Sequence, residues 1–133
     1  MSRRAGQAKL AATPCTVTVC RGCCCGNTTV TPGFDHAGQL AQLHGELAGT
    51  ATVRVSDCLD MCSHANVMVV SPGGAGRAAG ARPVWLGLLT DPEATEDLVT
   101  WIRAGGPGVA DPTPVLDLHF VTARHKARQA FDR

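Results

Sequence analysis

Cysteine carries the chemistry in this chain. Seven occur in 133 residues, and four of them form two pairs: Cys20 and Cys25 in the spacing C-x4-C, Cys58 and Cys62 in the spacing C-x3-C. Each pair follows a stretch that reads as a strand. Parallel neighbouring strands end at one sheet edge, so the four thiolates can converge on a point. Four thiolates serve either a structural zinc ion, held through knuckles of about two to four intervening residues, or an iron–sulfur cluster. Both pairs fit both chemistries by spacing. A third use is redox: Cys20-Arg21-Gly22-Cys23 is a C-x-x-C, the spacing of thiol–disulfide oxidoreductases. Cys23 and Cys24 also stand close enough to replace Cys25 as second ligand. Gly22 and Gly26 let backbone N–H groups approach sulfur, and such hydrogen bonds help to set a reduction potential.

The elements that must position these thiols follow from patterning. Thr16-Val17-Thr18-Val19-Cys20 alternates with β-branched residues, a strand signature. Asp35 is placed to cap a helix, whose apolar face is expected to carry Ala37, Leu40, His44 and Leu47 with Leu43 beside them; Gly49 ends it. Ala51, Val53 and Val55 alternate with Thr52, Arg54 and Ser56 as a second strand, so the two strands and the helix make a parallel βαβ unit. Asn66 to Val70, unbroken apolar from Val67 on, is suited to a strand buried on both faces. The glycine-rich stretch from Ser71 to Ala81 reads as a turn or mobile loop, and Pro83 to Leu89 as the returning strand of a hairpin. Asp91-Pro92-Glu93 supplies an N-cap, a proline at N1 and an acid in the first turn of a second helix, with Ala94, Leu98, Trp101 and Ile102 on its apolar face. The order β-α-β then β-β-α predicts an α/β, thioredoxin-like domain, a mixed sheet flanked by helices. Its expected limits are 14–105, after a short basic leader at 1–13. A Pro/Gly-rich linker and basic tail are expected at 106–133, with a strand over Val115 to Phe120.

Zinc commonly staples domains that lack a core, whereas these strands and helices suffice for one; a cluster also spans a wider site than one ion. The stretch Cys20-x4-Cys25, followed by Cys58-Leu59-Asp60-Met61-Cys62-Ser63-His64-Ala65-Asn66-Val67-Met68-Val69-Val70, resembles the thioredoxin-like [2Fe-2S] ferredoxins. In spacing it is most similar to the small iron–sulfur subunit of NADH dehydrogenases and related hydrogenases. The resemblance covers residues 14 to 103. It implies that Cys20, Cys25, Cys58 and Cys62 ligate a [2Fe-2S] cluster, and that the chain moves single electrons between redox partner proteins, a reductase and an acceptor, without substrate chemistry of its own. Asn66 stands where that family usually carries proline, and the family's helical N-terminal extension has no counterpart here, which favours a free-standing protein over a complex subunit.

Composition bounds the rest. Twelve basic residues against eleven acidic ones give a formal net charge of +1, a poor match for a protein that grips nucleic acid or an anionic membrane. No apolar run approaches the roughly 20 residues of a membrane span. Leu10 to Ala12 is too short for the core of a secretory signal, so the expected compartment is the cytoplasm, where clustered cysteines more often bind metal than staple loops. A homodimer is compatible with this reading. Cys15 reads as a small buried hydrophobe, His36 and His44 as helix-surface groups, His64 as a solvent-side residue, and Trp85 and Trp101 as core. The other classes kept open are a thiol–disulfide oxidoreductase using Cys20 and Cys23, and a zinc-stapled binding module.

Overall fold

The computed structural model describes residues 14–21, 34–56 and 67–121. The elements are β1 (Cys15–Cys20), α1 (His36–Glu46), β2 (Ala51–Ser56), β3 (Met68–Ser71), α2 (Gly74–Ala78), β4 (Val84–Leu86), α3 (Pro92–Arg103), α4 (Pro114–Asp117) and β5 (Phe120–Val121). They form a five-stranded sheet in the order β2-β1-β3-β4-β5. β1 and β2 are parallel, from Cys15 opposite Ala51 to Cys20 opposite Ser56. The β1–β3, β3–β4 and β4–β5 pairs are antiparallel. The fold is α/β and thioredoxin-like, as the pattern predicts, because a parallel pair requires a crossover and α1 supplies it.

Alternation along the strands divides the buried residues between two faces. Cys15, Val17 and Val19 of β1, Met68 and Val70 of β3 and Leu86 of β4 join Leu43 and Leu47 from the α1 segment and Leu98 and Ile102 of α3 in one core. Thr18, Val69 and Trp85, paired across β1, β3 and β4, are buried as well. β1 and β3 are thus covered on both sides, which is why Val67 to Val70 is uniformly apolar.

Three expectations are corrected. The inward face of α1 is His36, Gln39 and Leu43, continued by Leu47, while Ala37 and His44 are exposed. Gln39 can point inward because its amide Nε2 donates to the Leu89 carbonyl at 2.9 Å and the Thr95 hydroxyl at 3.1 Å; a satisfied amide loses little by burial. Residues 74–78 of the glycine-rich stretch are helical, with Gly74 and Gly76 buried. The glycines permit close approach: a Cβ on Gly76 would collide with the Pro107 carbonyl oxygen and lie 3.0 Å from the Pro72 Cβ. Finally, residues 115–117 are helical and only Phe120 and Val121 form the strand expected there.

Packing also continues beyond residue 105. The Trp101 indole donates to the Ala110 carbonyl at 2.8 Å, Leu116 is fully buried, and Thr113 both caps α4 and donates to the Asp97 carboxylate at 3.1 Å. Residues 106–121 therefore belong to the domain rather than to a linker. Cys15 and both tryptophans are buried as expected, and the Cys15 thiol donates to the Gly105 carbonyl at 3.2 Å.

Two glycine substitutions should move stability in opposite directions. Gly76→Ala pushes a methyl group into a backbone carbonyl and should cost about 1–3 kcal/mol. Gly45→Ala, on the exposed side of α1 with nothing within 4 Å of its Cβ position, should gain about 0.4–1 kcal/mol. Urea unfolding of both variants checks the pair; equal midpoints would mean that the α2–Pro107 contact is loose.

Candidate functional site

Strand directions decide which ends share an edge. β1 and β2 finish at Cys20 and Ser56, β3 starts at Met68 beside them, β4 finishes at Leu86 and β5 starts at Phe120. The chain segments 22–33 and 57–66 therefore both leave from the edge where Cys20 sits. Cys20 is buried, 2% exposed. Its N–H donates to the Val67 carbonyl at 3.1 Å, and the next N–H, of Arg21, donates to the Ser56 carbonyl at 2.9 Å. Segment 57–66, with Cys58 and Cys62, is thus anchored at one end to Ser56 and at the other to Val67, on the two flanks of Cys20. Cys58 follows Ser56 by two residues, a reach of at most about 7 Å.

Cys20 is the one expected ligand among the described residues. Cys25, Cys58 and Cys62, the substitutes Cys23 and Cys24, and His64 lie outside them. No group of three or more His, Cys, Asp or Glu side chains gathers for a metal ion among the described residues. The sulfur donor at Cys20 and the anchoring of the second cysteine segment beside it suit a soft-metal centre.

A polar clamp, invisible to a search for ligands, holds this end of β1. Arg21 donates through Nη1 to the Cys20 carbonyl at 2.9 Å, and through Nη2 to Gln39 Oε1 at 3.1 Å and the His36 carbonyl at 3.3 Å. Gln39 passes the connection on to Leu89 and Thr95 of the α3 side. The backbone at Cys20 is thereby tied to the starts of α1 and α3, a charge-assisted arrangement that fixes side-chain geometry. Sequence reading misses it, because neither Gln39 nor Thr95 carries a local signal that the two face one another.

His36, expected on the surface, is buried, and its Nε2 has no hydrogen-bond partner among the described residues. Burial lowers its pKa below the ordinary 6.5, and the Arg21 charge lowers it further; the Phe34 backbone and the Asp35 carboxylate oppose them. An unfolded chain then binds a proton that the folded chain resists. The contribution of neutral His36 to stability is complete above about pH 6.5 and is lost as pH falls from there through the folded pKa. His36→Phe should flatten that acid limb in denaturant titrations run across this window; an unchanged slope would assign the limb to other groups.

No protein-family model and no curated protein matches the chain. Among solved structures it is similar to the wild-type thioredoxin-like [2Fe-2S] ferredoxin from Aquifex aeolicus, with a TM-score of 0.52 and 18% sequence identity over 84% of this chain and 100% of that one. At this identity the likeness concerns the fold: the mixed sheet and its helices follow the same thioredoxin-like path.

Proposed function

We propose that this chain is a one-electron carrier that holds a [2Fe-2S] cluster on Cys20, Cys25, Cys58 and Cys62. The observation that carries the reading is the anchoring of segment 57–66 on both flanks of Cys20, through the Ser56 and Val67 carbonyls. It tethers two further thiols to the edge that already bears the first. The motif resemblance to the small iron–sulfur subunit of NADH dehydrogenases and the structural likeness to a ferredoxin of this fold point the same way.

Bound there, the cluster would supply a one-electron couple. The chain's own residues do the rest. Cys20 offers its thiolate from a rigid strand end, and the clamp through Arg21 and Gln39 holds that end against α1 and α3. Val67, fully buried next to Cys20, keeps water off this flank, and burial of an anionic centre favours a low potential. A thioredoxin-type mechanism with Cys20 and Cys23 finds less support, since α1 opens only at His36 and its N-terminal dipole is remote in sequence from the C-x-x-C. We place the carrier in the cytoplasm, serving a reductase and an acceptor; no helix among the described residues is long and apolar enough to cross a membrane.

The test is purification without oxygen, followed by visible spectroscopy, iron, sulfide and zinc analysis, and electron paramagnetic resonance after dithionite reduction. A brown protein with equal iron and sulfide and a paramagnetic reduced state is expected. A colourless chain with stoichiometric zinc would establish the stapled module, and a metal-free chain with a reducible Cys20–Cys23 disulfide would establish the oxidoreductase.

A further inference from the structure

The strand directions that bring Cys20 to one edge bring a second feature to it. β4 ends there and β5 begins there, so residues 87–90 and 118–119 border the same end of the sheet, starting two strand spacings, about 10 Å, from β1. These two stretches are locked together: the Gly87 N–H donates to the His119 carbonyl at 2.8 Å, and His119 Nδ1 lies 3.0 Å from the Gly87 carbonyl oxygen. Next to this pair, Leu88 is 57% exposed and Leu118 84% exposed. Leu88 is also the one non-glycine residue with positive φ, 57°, among the described residues. A leucine in that region costs roughly 1–2 kcal/mol, and an exposed side chain recovers little of it within the chain.

Charge is one-sided along the stretch that carries the pair, and Arg21, a cation at the same sheet edge, is engaged with the Cys20 and His36 carbonyls and with Gln39. From Pro83 to Val121 the acids are Asp91, Glu93, Glu96, Asp97, Asp111 and Asp117, and the single Lys or Arg is Arg103. Arg103 sits at the far end of α3, where it donates to the Glu46 carbonyl at 2.7 and 3.1 Å. Asp91, Glu93 and Asp117 are exposed beside the two leucines in sequence, with no cation of β4, α3 or α4 at this end.

We propose that Leu88 and Leu118, rimmed by Asp91, Glu93 and Asp117, are the docking surface for a redox partner protein that presents an apolar spot ringed by lysine or arginine. This rests on the carrier reading above and names the partner chemistry for that edge. An apolar centre within a charged rim is the anatomy of a protein interface, and opposite rims steer encounter and set the on-rate. Transient electron-transfer contacts are small, below about 1,200 Å² in total, a size two leucines and their rim can anchor. Two copies of this chain meeting here would bring like charges together, which disfavours self-association through this surface.

The test uses the anaerobically purified chain, with lysine-rich cytochrome c as the basic redox probe and binding read by nuclear magnetic resonance shift mapping at low and high salt. Resonances of residues 87–93 and 116–119 should shift, and affinity should fall steeply with salt. Leu88→Gly with Leu118→Ser should weaken binding about tenfold, and Glu93→Gln with Asp117→Asn should weaken it several-fold and flatten the salt dependence. Glu46→Gln, at the opposite end of α1, should change nothing. Asp91 is left intact because it caps α3 through the Glu93 N–H, and thermal melts confirm that each variant is folded. Unchanged affinity in both double variants, or an equal loss with Glu46→Gln, would overturn the proposal. So would a wild-type dimer that Leu118→Ser dissociates, which would make a second copy the occupant. Electron paramagnetic resonance on the same samples reports the cluster separately: its absence refutes the carrier reading, while binding still decides the surface.

Discussion

Serine in place of Cys20, Cys58 or Cys62 should leave a folded chain without visible absorption or acid-labile sulfide. The expected loss is complete because a serine oxygen is a hard, weakly acidic donor and replaces the soft thiolate that iron–sulfur chemistry selects. Cys20 is the most informative of the three. It lies in β1, its N–H is bonded to Val67 and its carbonyl to Arg21, so the backbone is held independently of any metal. Cys20→Ala, which carries neither the thiolate nor a hydroxyl, controls for the polarity that serine brings to this buried position. Both variants should keep a cooperative melt while losing the cluster. Serine substitutions at Cys23, Cys24 and Cys25, taken singly, identify the fourth ligand: the expected result is loss at Cys25 alone. Full-strength clusters in both Cys58→Ser and Cys62→Ser would show that the ligand set is wrong.

The same substitutions show what was legible in the sequence. The two cysteine pairs stood out by their spacing after strand-like stretches. Of what that spacing implies, the parallel register of β1 and β2 sets Cys20 opposite Ser56, two residues before Cys58, while Cys25, Cys58 and Cys62 lie outside the described residues. β1 and β2 were readable from β-branched alternation, and α3 from Asp91-Pro92-Glu93, whose cap and N1 proline the structure reproduces. The face of α1 was not readable, because a polar Gln39 is indistinguishable from a surface residue until its partners at Leu89 and Thr95, distant in sequence, are known. The clamp on Cys20 was hidden for the same reason. α2 was hidden by composition, since its glycines answer to the backbone at Pro107 and not to local propensity. α4 did carry a local signal. Thr113-Pro114 repeats the logic of Asp91-Pro92, a capping side chain followed by proline at N1, but four residues of helix give too little periodicity to outweigh an apolar run that also suits a strand.

That last misreading reverses an expectation about the C-terminal region. On the linker reading, truncation after Gly108 would leave the domain intact; the packing predicts that it unfolds. The cut removes Leu116, fully buried in the core, and Leu→Ala at such a site alone costs about 2–5 kcal/mol. It removes Ala110, whose carbonyl accepts the buried Trp101 indole N–H at 2.8 Å; leaving that donor unpaired adds about 1–3 kcal/mol. Phe120, whose ring centroid lies 5.8 Å from that of Trp101, goes too, and with it β5, uncovering the outer side of β4 at Trp85 and Leu86. Together these losses match the roughly 5–15 kcal/mol by which small domains are stable at all. Circular dichroism of the 1–108 chain should therefore show no cooperative thermal transition, whereas truncation after Val121 should preserve it. The single substitution Leu116→Ala, in the full chain, should lower the urea midpoint by an amount equivalent to about 2–5 kcal/mol. A cooperative melt from the 1–108 chain, at a temperature near that of the full chain, would show that residues 109–121 rest on the domain without supporting it.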